Sequence, residues 1–275
     1  MTSRSIIERV IKTLIPLGLL LLTPTSSASQ QQAQTCIVIQ QLAAEKPLVS
    51  RGECTTRLSP ASTFKIPHAL VALETGVVTP DTVEKWDGTK YARQPKWMRD
   101  HTVISALRPS VLWFFQRIAP RIGASRMAEW LAKFEYGNRD VSGPITEYWV
   151  NGRLQISPVE QVMFLRRFYG QSLPVRVEHL QAIRAGLLQD RGTMENSLGI
   201  HPLEGNWTGA ALNAKTGATS TRAYRVSWLV GMLSAGSQYV FAAAVWRQSG
   251  EVDTLDATRF AVRQFIESGL LPKGK

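Results

Sequence analysis

The sequence predicts an α/β protein of the α+β type, in which an antiparallel sheet built from both chain ends is flanked by helices and interrupted by an inserted, mostly helical region. Two observations predict this class. Strand-like runs lie near both ends of the 275 residues, and helix-like patches separated by turn residues fill the middle. Apolar residues make up 44% of the chain, which is sufficient for a packed core.

The first 28 residues have the pattern of an export signal. A basic stretch precedes a short apolar run at 14–22, and the small residues Ser26 and Ala28 fit cleavage after Ala28. A membrane anchor is the alternative, but the run is about half of the ~20 residues that a transmembrane helix needs. We therefore expect a periplasmic protein that has no membrane contact once the signal is cleaved.

The remaining residues, 29–275, are predicted to form one domain. Its sheet region is expected at 29–60 and about 205–275, and its helical region at about 61–204. The polar stretch at 26–34 favours a flexible start of the mature chain.

The first elements of this domain are two strands and a helix. Residues 35–41 and 47–51 read as short strands with a turn between them. Residues 59–75 read as a helix that Gly76 ends. Pro67 cannot donate a backbone hydrogen bond, so the opening turns of this helix should be irregular.

Three further helices are predicted in the middle of the chain. They lie at 125–134, 157–170 and 179–189. The second has the strongest start signal, because Ser157 can cap its first turn and Glu160 completes a capping box.

The C-terminal part changes character. Residues 211–218, 225–233 and 237–246 read as three strands separated by short turns. Residues 255–269 then read as a final helix with one apolar face, ended by Gly269.

The chain has two cysteines, Cys36 and Cys54, and no CxxC motif. A lone pair in an exported protein favours a disulfide, with two free thiols as the alternative. The four histidines are isolated in sequence, so no metal site is predicted.

The net charge is strongly positive. The signal segment carries +2 of the formal +11, so about +9 remains in the mature chain. The basic residues are scattered without a run of five or six, which favours a basic surface that attracts small anions over a nucleic-acid interface.

The chemistry is expected at S-x-x-K, where Ser62 and Lys65 are three residues apart in the first turns of a helix. Residues at this spacing share a helix face. A serine hydroxyl needs a base to become a nucleophile, and a lysine that is desolvated at the positive end of a helix can be neutral. The motif is common by chance, so it needs support from other motifs.

Several rarer motifs follow. In chain order they are S-V-L at 110–112, Y-G-N at 136–138, Y-W-V at 148–150 followed by G-R-L-Q-I-S-P, and K-T-G at 215–217. Together with S-T-F-K at 62–65, the set resembles the penicillin-recognising serine enzymes, and specifically a class D (oxacillinase-type) serine β-lactamase. The resemblance spans essentially the whole mature chain, and the tryptophan before the GRLQIS stretch points to class D.

The resemblance implies a mechanism and its residues. Ser62 would attack the β-lactam carbonyl, and Lys65 would be carboxylated by carbon dioxide (N6-carboxylysine) and act as general base. The indole N–H of Trp149 would donate to that carboxylate. No other cofactor is implied, and the partner is a small β-lactam, bound by a monomer or homodimer.

The other predicted catalytic residues are Ser110, which would pass a proton to the leaving nitrogen, and Lys215, which would orient Ser110. The backbone N–H groups of Ser62 and Ala218 would form the oxyanion hole. Taken singly, Ser110 could be an ordinary helix cap and Trp149 an ordinary core residue.

The implied substrate-binding residues are Leu112, Thr216, Gly217, Ala218 and Arg259. Arg259 matches by its distance from K-T-G and, taken alone, reads as a solvated helix residue. Leu112 stands where the family usually has valine, and Ala218 where larger residues are common. These departures bear on substrate range more than on reaction class.

Two other functions share part of the pattern. A penicillin-binding DD-peptidase or transpeptidase uses S-x-x-K and K-T-G but does not need Trp149 beside the lysine. A penicillin-sensor domain binds β-lactam covalently and does not turn it over.

Overall fold

The C-terminal strands are the longest in the molecule and form the centre of its main sheet. The structure is a computed structural model that describes residues 32–274. The strands in this range are β1 (Gln34–Gln41), β2 (Val49–Gly52), β3 (Thr193–Asn196), β4 (Gly199–Pro202), β5 (Ala210–Ser220), β6 (Arg225–Ala235) and β7 (Ser237–Arg247).

Five of these strands form one antiparallel sheet in the order β2-β1-β7-β6-β5. The N-terminal strand β1 pairs with the C-terminal strand β7, with Cys36 opposite Ala244. The prediction of a sheet built from both chain ends is therefore confirmed. Strand β5 lies at the edge, so one of its sides is open toward the rest of the domain.

The helices are α1 (Lys65–Glu74), α2 (Leu112–Ile122), α3 (Ala124–Phe134), α4 (Pro158–Tyr169), α5 (Val177–Leu187) and α6 (Asp256–Glu267). The capping box predicted for α4 is present, since Ser157 and Glu160 exchange both hydrogen bonds. A short 3-10 turn, Ala61–Phe64, precedes α1. Pro67 supplies no N–H to the Thr63 carbonyl, which is consistent with the irregular start that was predicted.

The two faces of the sheet carry separate cores. Alternating residues of β6 point to opposite sides, as in any strand. Trp228 and Val230 belong to the larger core on the α1 and α4 side, whereas Leu229 and Leu233 pack with Phe265 of α6 on the other. The apolar face predicted for the last helix is the one that α6 buries.

Three features of the predicted helical region need correction. Helix α2 was not predicted, and the hairpin β3–β4 lies inside the range expected to be helical. Helix α5 ends at Leu187 rather than 189, because the backbone N–H of Gln189 donates to Leu212 of β5 instead of continuing the helix. A β-pairing partner distant in sequence is not visible to local periodicity.

The disulfide between Cys36 and Cys54 is present, which excludes the free-thiol alternative in this structure. It ties β1 to the segment that follows β2. The predicted signal peptide, 1–28, lies outside the described residues. Within 32–274, no helix has the length and apolar character needed to span a bilayer.

Candidate active site

Ser62 lies in the 3-10 turn that leads into α1. The turn is sharp, since Ala61 adopts a left-handed backbone conformation with φ 49°. The amine of Lys65, the first residue of α1, donates to Ser62 Oγ at 2.7 Å. The structure thus brings together the predicted nucleophile and base.

Lys65 is fully buried in an aromatic environment. Its Nζ lies 5.4 Å from the centroid of the Phe115 ring, and Phe64 stacks on Trp149 with 5.9 Å between ring centroids. Burial lowers the pKa of Lys65 from 10.5 to about 7, because the aromatic surroundings cannot solvate an ammonium group. A substantial fraction of the amine is therefore neutral near pH 7.

Trp149 is also fully buried, and its Nε1 has no hydrogen-bond partner among the described residues. Two hydrogen bonds hold the backbone at this position. The Trp149 carbonyl accepts from Ser59 Oγ at 2.9 Å, and the next carbonyl, of Val150, accepts from Thr219 of β5 at 2.8 Å. A buried indole N–H without an acceptor is unusual and calls for an explanation.

The Y-G-N motif anchors the segment that follows Trp149. Asn138 exchanges backbone and side-chain hydrogen bonds with Gln155 and donates to the Arg153 carbonyl. Gly137 is required here, because a Cβ at this position would lie 2.1 Å from the Gln155 carbonyl oxygen. These contacts give the motif a structural role as a turn.

Ser110 and Lys215 form a second pair. Lys215 Nζ donates to Ser110 Oγ at 2.5 Å and to the Thr216 carbonyl at 2.8 Å. Ser110 has φ 57°, an uncommon conformation for a residue with a side chain, and so presents its hydroxyl from a tight turn before α2. Burial, with a smaller contribution from the charge of Lys65, lowers the pKa of Lys215 well below its usual value, and Glu195 opposes this shift.

Gly217 allows the strand that carries Lys215 to lie close to the turn that carries Ser62. It lies on edge strand β5, where a Cβ would be 2.9 Å from the Pro60 carbonyl oxygen and about 3 Å from Thr63. Only glycine allows β5 to approach the Ser62 turn so closely. The K-T-G motif therefore has a packing reason for its glycine as well as a chemical reason for its lysine.

A carboxylate that the sequence did not single out acts on the charge of Lys215. Glu195 of β3 is buried and accepts from Lys96 Nζ at 2.6 Å and from Arg108 Nε at 2.8 Å. Burial opposes ionisation of Glu195, but the hydrogen bonds from these two cations outweigh it and lower the pKa of Glu195. Arg108 is two residues before Ser110, so the contact ties the Ser110 turn to β3.

The contacts of the other predicted substrate-binding residues do not indicate a specific role. Leu112 begins α2 and is partly exposed, whereas Phe115, one turn later, is the α2 residue in contact with the Lys65 amine. Ala218 follows Gly217 on β5. Arg259 lies on α6, where its guanidinium contacts Asp256 at 3.3 Å and Asp253 at 3.7 Å. Its role toward a substrate stays a prediction.

A serine paired with a buried lysine, a second serine–lysine pair, and the edge of an antiparallel sheet beside them define a penicillin-recognising serine enzyme site. The sequence agrees, because residues 21–265 match the model of the penicillin-binding protein transpeptidase domain. The chain belongs to this family. Its homologues there include OXA-type class D β-lactamases.

Three known proteins illustrate the similarity. The chain is 32% identical to β-lactamase OXA-48 of Klebsiella pneumoniae, over 78% of this chain and 74% of that protein. It is 30% identical to the regulatory protein BlaR1 of Bacillus licheniformis, over 82% of this chain but 35% of that protein. The solved structure of BPu1 β-lactamase superposes with a TM-score of 0.73 at 30% identity, covering 87% of this chain and 94% of that one.

The chain thus spans most of one curated relative and about a third of another, with different functions. Further solved structures that share the fold are class D β-lactamases. The family and the fold are common to both kinds of relative. They do not by themselves distinguish a β-lactamase from a regulatory protein.

Proposed function

We propose that this protein hydrolyses the amide bond of penicillin-type β-lactams through an acyl-enzyme on Ser62, and so confers resistance to these antibiotics. The observation that carries the proposal is the pair formed by Ser62 and a fully buried Lys65 whose pKa is lowered to about 7. A serine becomes a useful nucleophile only when a base of this kind lies within hydrogen-bond distance.

The first half of the reaction is acyl transfer. As the Ser62 proton leaves toward the Lys65 side chain, Oγ attacks the β-lactam carbonyl carbon, and the C–N bond of the ring breaks. The departing nitrogen takes a proton from Ser110, whose hydroxyl is held by Lys215. The backbone N–H groups of Ser62 and Ala218 are assigned to the oxyanion, since β5 approaches the Ser62 turn closely at Gly217.

The second half requires a base that can activate water against the Ser62 ester. Carboxylation of Lys65 by carbon dioxide would supply such a base as a carboxylate on Nζ. The residues fit this group: the amine can be neutral, as carboxylation requires, and the buried Trp149 N–H lacks an acceptor that a carboxylate oxygen would provide. A peptidase working with an uncarboxylated lysine has no need of that donor.

Substrate binding is assigned to residues of β5 and to Arg259 of α6. Thr216 and Arg259 are proposed to hold the carboxylate of the β-lactam, with Leu112 at the rim of the site. The positive net charge of the chain favours the approach of an anionic substrate.

The proposed compartment is the periplasm. The basic and apolar pattern of residues 1–28 favours export, and a disulfide between Cys36 and Cys54 fits an oxidising environment. Whether the exported protein is a monomer or a homodimer stays open to measurement.

Turnover of the chromogenic cephalosporin nitrocefin tests the proposal, with and without added bicarbonate. Continuous turnover that bicarbonate accelerates is the expected result. A stoichiometric burst followed by a stable acyl-protein would instead favour a sensor function, for which the similarity to BlaR1 is the supporting observation. Turnover that is indifferent to bicarbonate would favour the peptidase-type use of Lys65.

A further inference from the structure

His68 is a buried histidine for which the reaction described above has no use. It lies on α1, one turn after Lys65, and its side chain is fully buried. Neither Nδ1 nor Nε2 has a hydrogen-bond partner among the described residues. A fully buried imidazole without any partner is costly, because both ring nitrogens lose the hydrogen bonds they would make in water.

The other histidines of the chain do not share this feature. His101 uses both ring nitrogens, toward Ser105 and the Lys96 carbonyl. His179 contacts Glu74, and His201 contacts Asn196. The lack of partners is therefore specific to the histidine beside Lys65.

The position of His68 directs it toward the Lys65 amine. Residues three apart on a helix share a face, and helical side chains lean toward the N-terminus, which places the ring over the turn that begins at Lys65. The ring centroid lies 5.3 Å from that of Phe115 and 5.3 Å from that of Trp149. Phe115 is also the ring that the Lys65 amine contacts. The His68 ring therefore shares Phe115 with the Lys65 amine and packs against Trp149.

We propose that His68 is a positioning residue that donates a ring N–H to the carboxylate formed on Lys65, so that His68 and Trp149 hold this group from two sides. The inference rests on the proposed carboxylation of Lys65. In that step the Nζ lone pair bonds to the carbon of carbon dioxide, one N–H proton leaves to solvent, and two oxygens that share a negative charge result. A carboxylate has about four acceptor positions, so two donors leave room for the Ser62 hydroxyl.

The protonation state of His68 is consistent with this assignment. Burial, together with the charge of Lys65, lowers the pKa of His68 to about 3, so the imidazole is neutral at working pH and carries one N–H. Carboxylation gives Lys65 a negative charge, which no longer disfavours a donor at His68 and strengthens the hydrogen bond from the His68 N–H to the carboxylate. The contact between His68 and Lys65 is therefore stabilising only when the carboxylate is present.

The decisive measurement observes His68 directly in the wild-type protein, without substrate. The protein is labelled with nitrogen-15 in histidine and equilibrated with carbon-13 carbon dioxide. We expect a carbamate carbon signal and, with the same carbon dioxide dependence, a shift of the His68 ring nitrogens. The same ring signals in Lys65→Arg, which cannot be carboxylated, should ignore carbon dioxide.

Variants then test the energetic contribution of His68. His68→Leu should raise the carbon dioxide concentration needed for half-maximal carbamate signal by about tenfold or more, as expected for loss of a hydrogen bond to a charged group. His68→Asn or His68→Gln, which keep an N–H near Nδ1 or Nε2, should restore part of the loss. His201→Leu, the same replacement at a half-buried histidine with its own partner, should leave the concentration unchanged.

The outcomes separate this inference from the proposed function. A carbamate signal with unshifted His68 nitrogens would overturn the role of His68 and leave the carboxylated base in place. The absence of any carbamate signal in the wild-type protein would remove the carboxylated lysine, and the role of His68 with it. Because the first measurement uses the wild-type chain, neither result depends on whether His68→Leu folds.

Discussion

The two buried lysines of the site are surrounded very differently. Lys215 has acceptors in Ser110 and the Thr216 carbonyl, and the carboxylate of Glu195 acts on its charge. Lys65 has one acceptor, Ser62 Oγ, and its Nζ lies over the ring of Phe115. The Lys215 region is a polar network whose members satisfy one another within the polypeptide.

The Lys65 region is incomplete in that sense. Its neighbours include donors at Trp149 and His68 that lack acceptors among the described residues. Buried polar groups are nearly always paired, so these unpaired donors are the observations that support the proposed carboxylate on Lys65. Under that proposal, Lys215 provides a fixed electrostatic environment, while Lys65 carries the added group.

The largest effect is expected from removing the nucleophile on the Lys65 side. Ser62→Ala should abolish both acylation and hydrolysis, because no other hydroxyl is assigned to attack. Mass spectrometry after exposure to penicillin should show a covalent adduct on the wild-type protein alone. Ser110→Ala is the matched control, since it removes the hydroxyl on the Lys215 side and should slow acylation without preventing the adduct. An adduct on Ser62→Ala would refute the nucleophile assignment.

Trp149→Phe tests whether the unpaired indole donor matters. The replacement keeps an aromatic ring against Phe64 and removes the N–H, so hydrolysis should fall by about tenfold to a hundredfold while acylation continues and acyl-enzyme accumulates. Quenched-flow mass spectrometry measures the two steps separately. Trp207→Phe is the control, because Trp207 lies in the core on the opposite face of the sheet, with its Nε1 already paired to the Glu204 carbonyl. Unchanged turnover in Trp149→Phe would make Trp149 an ordinary core residue.

The pH dependence of hydrolysis tests the Lys65 side of this comparison. The pKa of Lys65 is lowered to about 7, so the amine is neutral above this pH and protonated below it. Carbon dioxide reacts only with the neutral amine, and hydrolysis should therefore fall as the pH is lowered through about 7. A tenfold increase in the partial pressure of carbon dioxide should move the midpoint of this fall toward acid by up to about one pH unit. A midpoint that ignores carbon dioxide would contradict carboxylation of Lys65.

The sequence predicted which residues pair in the candidate site better than it predicted their surroundings. Ser62, Lys65, Ser110, Trp149 and Lys215 were singled out because they occur in short motifs, and the structure pairs Ser62 with Lys65 and Ser110 with Lys215. The strands at both ends and helix α4 were found because alternation and a capping box are local signals.

What the sequence did not predict depends on contacts between distant residues. Glu195 is a single acidic residue in a weak hairpin, and only the fold brings it to Lys96 and Arg108. His68 was visible as a residue, but its lack of partners is a property of the packed core. For Arg259 the sequence spacing from K-T-G predicted a role in substrate binding. Its contacts with Asp253 and Asp256 do not test that role.

The smallest effect on activity is expected from the polar network behind Lys215, at Glu195. Glu195→Gln removes the carboxylate but keeps an oxygen that can accept from Lys96 or Arg108. The cations are partly exposed, with side-chain exposures of 39% and 28%, so solvent screens their loss, and we expect the free energy of unfolding to fall by about 1–3 kcal/mol.

Glu195→Gln should also change the pKa of Lys215. The carboxylate of Glu195 opposes the effects of burial and of Lys65 on the pKa of Lys215, so its removal should lower that pKa further. Any limb of the rate–pH profile that reflects loss of the Lys215 proton should then shift to lower pH, with a rate change of a few-fold. Asp190→Asn is the control, because Asp190 reaches the same Arg108 at 3.5 Å but is largely exposed. If both variants shift the profile equally, general electrostatics explain the effect. If neither variant shifts the profile while Glu195→Gln loses stability, Glu195 only holds the Ser110 turn in place. Its role is then structural, and it does not tune the pKa of Lys215.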